Sequence, residues 1–255
     1  MQKYIITART AMRGQTNGGI IYMFPQIILK IVYLIPLMFI WRVIVSDGVD
    51  AGMTLTQLLT YTYVNALLTD LLIVHSYIHD WDFQTKSTAL FTRPMSVYGQ
   101  VISRTVGGWI PALFLFSLPM AIIAPLLGIQ IVPHTWWVLP SLLLCVSLGF
   151  AFEFLFYCVT LRLRNVAWLT DVIRSAVVSF FSGTVIPFSI LPFGLDRWML
   201  YQPFGSLGGA PLSLFVGMAD PAQIIPIQLF WNVFFWSITV VLFAKSKERM
   251  VSFGG

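Results

Sequence analysis

Charge is what this chain has least of. Only 10% of its 255 residues are Asp, Glu, Lys or Arg, where soluble domains carry roughly a quarter. A soluble fold of this size needs a charged shell to stay dispersed, so the composition points to lipid as the solvent. Cysteine is nearly as scarce. Cys145 and Cys158 both fall inside one apolar stretch, where thiols behave as small hydrophobes and no disulfide framework or metal set can be read. The three histidines, His75, His79 and His134, give no metal-ligand set on one helical face; His75 and His79, four apart, read as a polar pair near a membrane interface. The sequence contains no Gly-x-x-x-x-Gly-Lys-Ser/Thr phosphate loop, no His-Glu-x-x-His and no Gly-x-Ser-x-Gly. ATP hydrolysis by the phosphate-loop route is therefore excluded for this chain, and its energy has to come from a partner.

What is present is apolar surface: 58% of residues are hydrophobic and the mean hydropathy is +0.83. A spanning helix needs about 20 predominantly apolar residues. Six stretches meet that need, at roughly 20–45, 55–77, 106–127, 136–161, 166–187 and 222–244. The expected fold is an all-α membrane protein, a single transmembrane domain over residues 1–255 with six transmembrane helices. Residues 1–19 are polar and basic, without the apolar core of a signal peptide, so the first span is expected to be a retained anchor. Within them Tyr4, Ala8 and Met12 recur at four-residue spacing beside Ile5, with Arg9 and Arg13 on another face, which predicts an N-terminal interfacial helix.

Orientation follows from the basic residues. Twelve of the fifteen Lys and Arg flank one set of span ends: Lys3, Arg9 and Arg13; Lys86, Arg93 and Arg104; Arg162, Arg164 and Arg174; and Lys245, Lys247 and Arg249. By the positive-inside rule both termini are expected in the cytoplasm. The net charge of +5 then reports cytoplasmic loops facing anionic lipid rather than nucleic acid.

Ionisable residues inside spans are costly and default to functional candidates. Lys30, Asp70 and Glu153 qualify, as does the pair Asp171 and Arg174, whose three-residue spacing lets one neutralise the other on a single helix face. Lys30 and Glu153 each need a partner or a water-filled route, pairing with each other being one solution, and are the candidates to line a translocation path. Two linking segments also stand out. The polar, aromatic-studded run from His79 to Ser96 is too long for a tight turn, and Arg93-Pro94 ends any helix in it. The apolar run from Ser182 to Gly217 is broken by Pro187, Pro192, Pro203 and Pro211. Such backbone survives at membrane depth only where protein satisfies it, so short re-entrant or interfacial helices are expected there, with Trp198 and Tyr201 at headgroup level.

With these elements in order, nearly the whole chain resembles the ABC type-two export permeases, the membrane subunits of bacterial exporters. The resemblance rests on the basic N-terminal helix, on Leu90-Phe91-Thr92-Arg93-Pro94-Met95-Ser96 and on Ser182-Gly183-Thr184-Val185-Ile186-Pro187-Phe188-Ser189-Ile190-Leu191-Pro192. Asp82-Phe83-Gln84-Thr85-Lys86 departs from the family, which tends to carry a glycine and an acidic residue ahead of the Arg-Pro element. The resemblance implies a multi-pass protein of the bacterial cytoplasmic membrane and a dimer with a second permease copy or a sister permease. It also implies a separate cytoplasmic ATPase subunit that binds ATP and Mg, with no cofactor in this chain. The polar element would be the coupling helix, with Phe83, Lys86, Phe91 and Arg93 contacting the ATPase, and Gly183, Pro187 and Pro192 would shape the outer re-entrant segment. The competing classes are a membrane-embedded lipid-modifying enzyme, which needs catalytic groups converging at one depth, and an ion-driven carrier, which favours an inverted repeat.

Overall fold

The computed structural model describes residues 1–17, 20–49, 51–76, 78, 90, 93–163 and 167–251. Among these residues every regular element is helical. In chain order they are α1 (Gln2–Thr16), α2 (Phe24–Ser46), α3 (Leu55–Leu72), α4 (Val97–Leu127), α5 (Val138–Leu163), α6 (Ala167–Phe181), α7 (Leu195–Tyr201), α8 (Gly209–Phe215) and α9 (Pro221–Val251). Four helices are long and apolar enough to cross a membrane: α2, α4, α5 over Val138–Arg162 and α9 over Pro221–Ser246. The other two apolar stretches take different forms, for different physical reasons.

The first of these, α3, is short and lies at the centre. It starts on a capping box, in which the Thr54 hydroxyl accepts from the Gln57 amide and the Gln57 side chain accepts from the Thr54 amide. From Leu58 to Val64 every residue is buried, so α3 meets protein on all sides. That is why it tolerates so many polar side chains: each has a partner on a neighbouring element. Trp41 Nε1 of α2 donates to Thr62 Oγ1 at 2.8 Å, and the Tyr63 hydroxyl donates to the Met120 carbonyl of α4 at 2.7 Å. The Tyr61 hydroxyl and the Asn65 amide donate to the carbonyls of Gly183 and Thr184, both at 2.8 Å. The second stretch, α6, has 15 residues, roughly 22 Å at 1.5 Å per residue, against a hydrocarbon core of about 30 Å. Its apolar sequence runs on past Phe181, but the backbone turns away at Gly183, whose φ of +79° is left-handed.

α4 begins at Val97, ahead of the expected 106, because Ser96 caps it by accepting from the Gly99 amide at 3.1 Å. Arg104 thus sits on a helix rather than beside one. One wide turn interrupts α4 at Leu113–Ser117, where the Leu118 amide reaches back five residues to the Leu113 carbonyl, one residue before Pro119, which has no N–H to offer. Phe116 and Ser117 on this turn are buried, and the Ser117 hydroxyl donates to the Leu67 carbonyl of α3 at 2.7 Å.

α1 has the helical form expected, but two residues of its apolar stripe are committed elsewhere. Tyr4 and Ala8, predicted to face the membrane interface, pack on α4: any Cβ at Gly99 would strike the Tyr4 ring, and one at Gly107 would strike the Ala8 carbonyl. Small residues let two helices approach backbone to backbone, the packing logic of helices in lipid. Lys3 Nζ also donates to the Pro94 carbonyl at 2.5 Å, and the Tyr4 hydroxyl lies 3.4 Å from Ser96 Oγ. α1, the Arg93–Ser96 turn and the start of α4 are thereby tied together.

Between α6 and α9 the chain forms one turn of tight helix at Phe188–Ile190 and the short helices α7 and α8. Its free backbone groups are met by side chains and neighbouring amides. Gly209 N donates to Ser182 O at 2.5 Å, Gln202 Nε2 to Phe181 O at 2.6 Å and Gln228 Nε2 to Ser206 O at 2.8 Å. α8 is buried on α5 and α3, whereas α7 is exposed, with Trp198 76% accessible.

Gly107→Val should therefore peel α1 from α4, at about 1–3 kcal/mol for overpacking. Tryptic cleavage at Arg9 and Arg13 should rise by about tenfold in the folded protein; unchanged cleavage would remove this contact from the fold.

Candidate functional site

α3 ends at Leu72, short of the expected 77, and the chain runs unwound through Val74–Ser76 between buried helices. Two charges account for this. The Arg174 guanidinium of α6, 2% exposed, donates through Nη1 to the Val74 carbonyl at 3.2 Å. The Glu153 carboxylate of α5, 0% exposed, accepts from the Ser76 amide at 2.9 Å and from the Ser76 hydroxyl through the same oxygen. Arg174 and Glu153 also pair with each other, Nη1 to Oε1 at 2.5 Å. Gly149 on α5 completes the fit, because a Cβ there would meet the Val74 side chain. The helical hydrogen bonds given up beyond Leu72 are replaced by charge-assisted ones, the stronger kind.

Arg174 makes further contacts. Nε and Nη2 donate to Asp171 Oδ1 at 3.3 and 2.9 Å, the three-apart pairing expected from sequence. Nη2 also lies 2.6 Å from His75 Nδ1. A guanidinium can only donate, so Nδ1 must accept and the imidazole proton belongs on Nε2. Asp171 Oδ1, 3.7 Å from the same nitrogen, is beyond hydrogen-bond reach, and the Arg174 contact decides the tautomer.

A second ion pair lies one turn above the end of α3. Lys30 Nζ of α2 donates to Asp70 Oδ2 at 2.8 Å and sits 5.1 Å over the centre of the Phe116 ring, so that a carboxylate and a π face both stabilise the ammonium. Lys30 and Glu153 are thus not partners of each other; each pairs with a residue on a different helix.

Beside these pairs opens a cavity of about 970 Å³. α1 and α4 form its two long walls, with the end of α3 and Gln26 of α2 closing it. Its charged and titratable lining residues are Asp70, His75, Arg93 and Arg104, and Ser76 lies beside them. The cavity reaches Asp70 and His75, so it connects the two ion-pair systems to the end of the bundle where Arg93 lies exposed.

The other predicted site residues are placed as follows. Gly183 sits over the Phe188 ring, Pro187 precedes the turn at Phe188–Ile190, and Pro192 opens the turn that leads into α7. Phe83, Lys86 and Phe91 lie outside the described residues, as does His79 of the histidine pair. Among the described residues no group of three or more His, Cys, Asp or Glu is arranged to hold a metal ion. The role missed from sequence is that of Arg174, read as the local partner of Asp171 when it also joins α5 and α6 to the end of α3. The signal was available: a buried arginine and a buried glutamate, each alone on an apolar helix, have to find each other. No family model, no curated protein and no solved structure matches the chain.

Removing either member of the buried pair leaves an uncompensated charge. Arg174→Ala or Glu153→Ala should each cost about 3–5 kcal/mol in reversible unfolding from mixed micelles. Arg174→Met with Glu153→Leu should recover part of that loss by restoring apolar packing. Single variants as mild as surface substitutions would mean that the pair does not hold the unwound segment.

Proposed function

We propose that this chain is the membrane subunit of an ABC-type exporter of the bacterial cytoplasmic membrane, working with a second permease and a separate cytoplasmic ATPase that binds ATP and Mg. The observation that carries the reading is a polar cavity in an otherwise apolar bundle, one wall of which is tied to the Arg93-Pro94 turn through Lys3 and Tyr4. In this reading α3 and α6 complete six spans, both termini are cytoplasmic, and α7 and α8 belong to an outer segment that dips into the membrane surface.

The division of labour follows from the ties. α3, α5 and α6 are pinned to one another at Arg174, so they move together. α1 and α4 are pinned to the Arg93–Ser96 turn, so a push on that turn by an ATPase moves the opposite wall. The cavity would change shape between these two bodies, a rigid-body transition driven by differential contacts in the two nucleotide states. Phe83, Lys86, Phe91 and Arg93 would carry the contact with the ATPase, aromatic and arginine anchors being the residues on which interface energy concentrates.

Two experiments test this. In a variant lacking Cys145 and Cys158, Phe193→Cys, 95% exposed in the wild type, should react with an impermeant thiol reagent from outside the cell and Lys245→Cys only from inside. Reaction of both from one side would break the six-span topology. The purified chain alone should hydrolyse no ATP above a contaminant control, and with its ATPase Arg93→Ala should lower substrate-stimulated hydrolysis by about tenfold or dissociate the complex, about 2 kcal/mol or less being left from the anchor. Transport driven by an ion gradient without any ATPase would favour the carrier, and covalent turnover of a lipid by the chain alone would favour the enzyme.

A further inference from the structure

The cavity walls carry a charge imbalance. Asp70 is offset by Lys30 at 2.8 Å, whereas Arg93 and Arg104 face the same space and lie within electrostatic reach of each other. Two guanidinium groups facing one space inside low-dielectric walls make a focused positive potential, which a multiply charged anion relieves. The neutral polar groups agree. Gln15 of α1 lines the cavity, and its amide nitrogen lies close over Gly108, whose lack of a side chain leaves room for the amide. Thr7 and Thr10 spend their hydroxyl protons on the Lys3 and Ile6 carbonyls of their own helix, so the walls offer Arg and amide donors for an anion.

The rest of the lining is apolar. Ile6, Ile73, Ala112 and Trp109 share the space, and the Trp109 ring lies 5.9 Å from that of Phe150, tilted by 35°. A site for a small free anion needs no such surface. A volume of about 970 Å³ also far exceeds one phosphate and sits at the upper end of pockets that take whole amphiphilic ligands, roughly 300–1,000 Å³.

We infer that the cavity between α1 and α4 binds a phosphate-bearing amphiphile, its phosphate held by Arg104, Arg93 and the Gln15 amide and the start of its apolar chains against Trp109 and Ile6. Arg is the side chain whose planar fork matches phosphate oxygens two at a time, so Gln at either position removes both charge and fork. The site is complete within one copy of the chain, and its occupancy requires neither the ATPase nor the second permease, so it can fail or hold independently of the exporter reading.

The test is calorimetric titration of the purified full chain, in a neutral maltoside detergent, with dihexanoyl phosphatidic acid, dihexanoyl phosphatidylcholine and inorganic phosphate. Phosphatidic acid should bind saturably with one site per chain, and the zwitterionic lipid and inorganic phosphate each about tenfold more weakly or worse, a factor equal to one step of affinity. Arg104→Gln should weaken phosphatidic acid by about tenfold while the thermal midpoint stays at the wild-type value. Arg104→Lys, which keeps the charge and loses the fork, should fall between, and Trp109→Leu should weaken the lipid while leaving inorganic phosphate unchanged. Equal affinity for inorganic phosphate would replace the amphiphile by a free anion, and wild-type affinity in a folded Arg104→Gln would overturn the site.

Discussion

An arginine and a glutamate withdrawn from water hold the middle of this protein together. Neither Arg174 nor Glu153 could remain charged in an apolar bundle alone, since the cost of desolvating an isolated ion far exceeds the whole stability of a domain. Each is held because the other is there and because the backbone of residues 74–76 supplies further partners. The dependence runs both ways. The unwound segment exists at this depth only because a guanidinium and a carboxylate replace the hydrogen bonds that a helix would have made internally. Position Gly149, the orientation of His75 and the place where α3 stops all follow from the same contact.

How much of this was legible in the sequence depends on whether a feature is local. The apolar runs are local, and α2, α4, α5 and α9 lie where composition puts them, with bounds shifted by caps such as Ser96. The end of α3 is not local. Ile73-Val74-His75-Ser76 continues an apolar run with nothing in its own composition to stop a helix, and the residues that stop it come from α5 and α6, some 80 to 100 positions away. The charged residues were visible as expensive, and their partners were constrained in sign. The pairing of Lys30 with Asp70 and of Glu153 with Arg174 was a choice among few, settled by which helices are neighbours.

α1 shows the same limit. Its four-residue apolar spacing was readable, but an apolar stripe does not declare whether it will face lipid or another helix. Gly99 and Gly107 on α4 decide it, since they open a track into which Tyr4 and Ala8 fit. The outer segment between α6 and α9 was legible in kind, because broken apolar backbone has to be satisfied by protein. The donors that do so, Tyr61, Asn65, Gln202 and Gln228, are polar residues whose roles emerge only once the chain is folded.

The polar encirclement of α3 has a consequence for biogenesis. A nascent segment bearing Gln57, Asn65, Asp70 and several threonines and tyrosines partitions poorly from a translocon into bare lipid, because each polar group would leave water without a partner. Its partners Trp41 and Lys30 are on α2, which precedes it, whereas Met120, Gly183 and Thr184 are translated later. α3 is thus a passenger that enters the bilayer with α2 as chaperone and waits beside the translocon for the rest of its binding pocket to be synthesised.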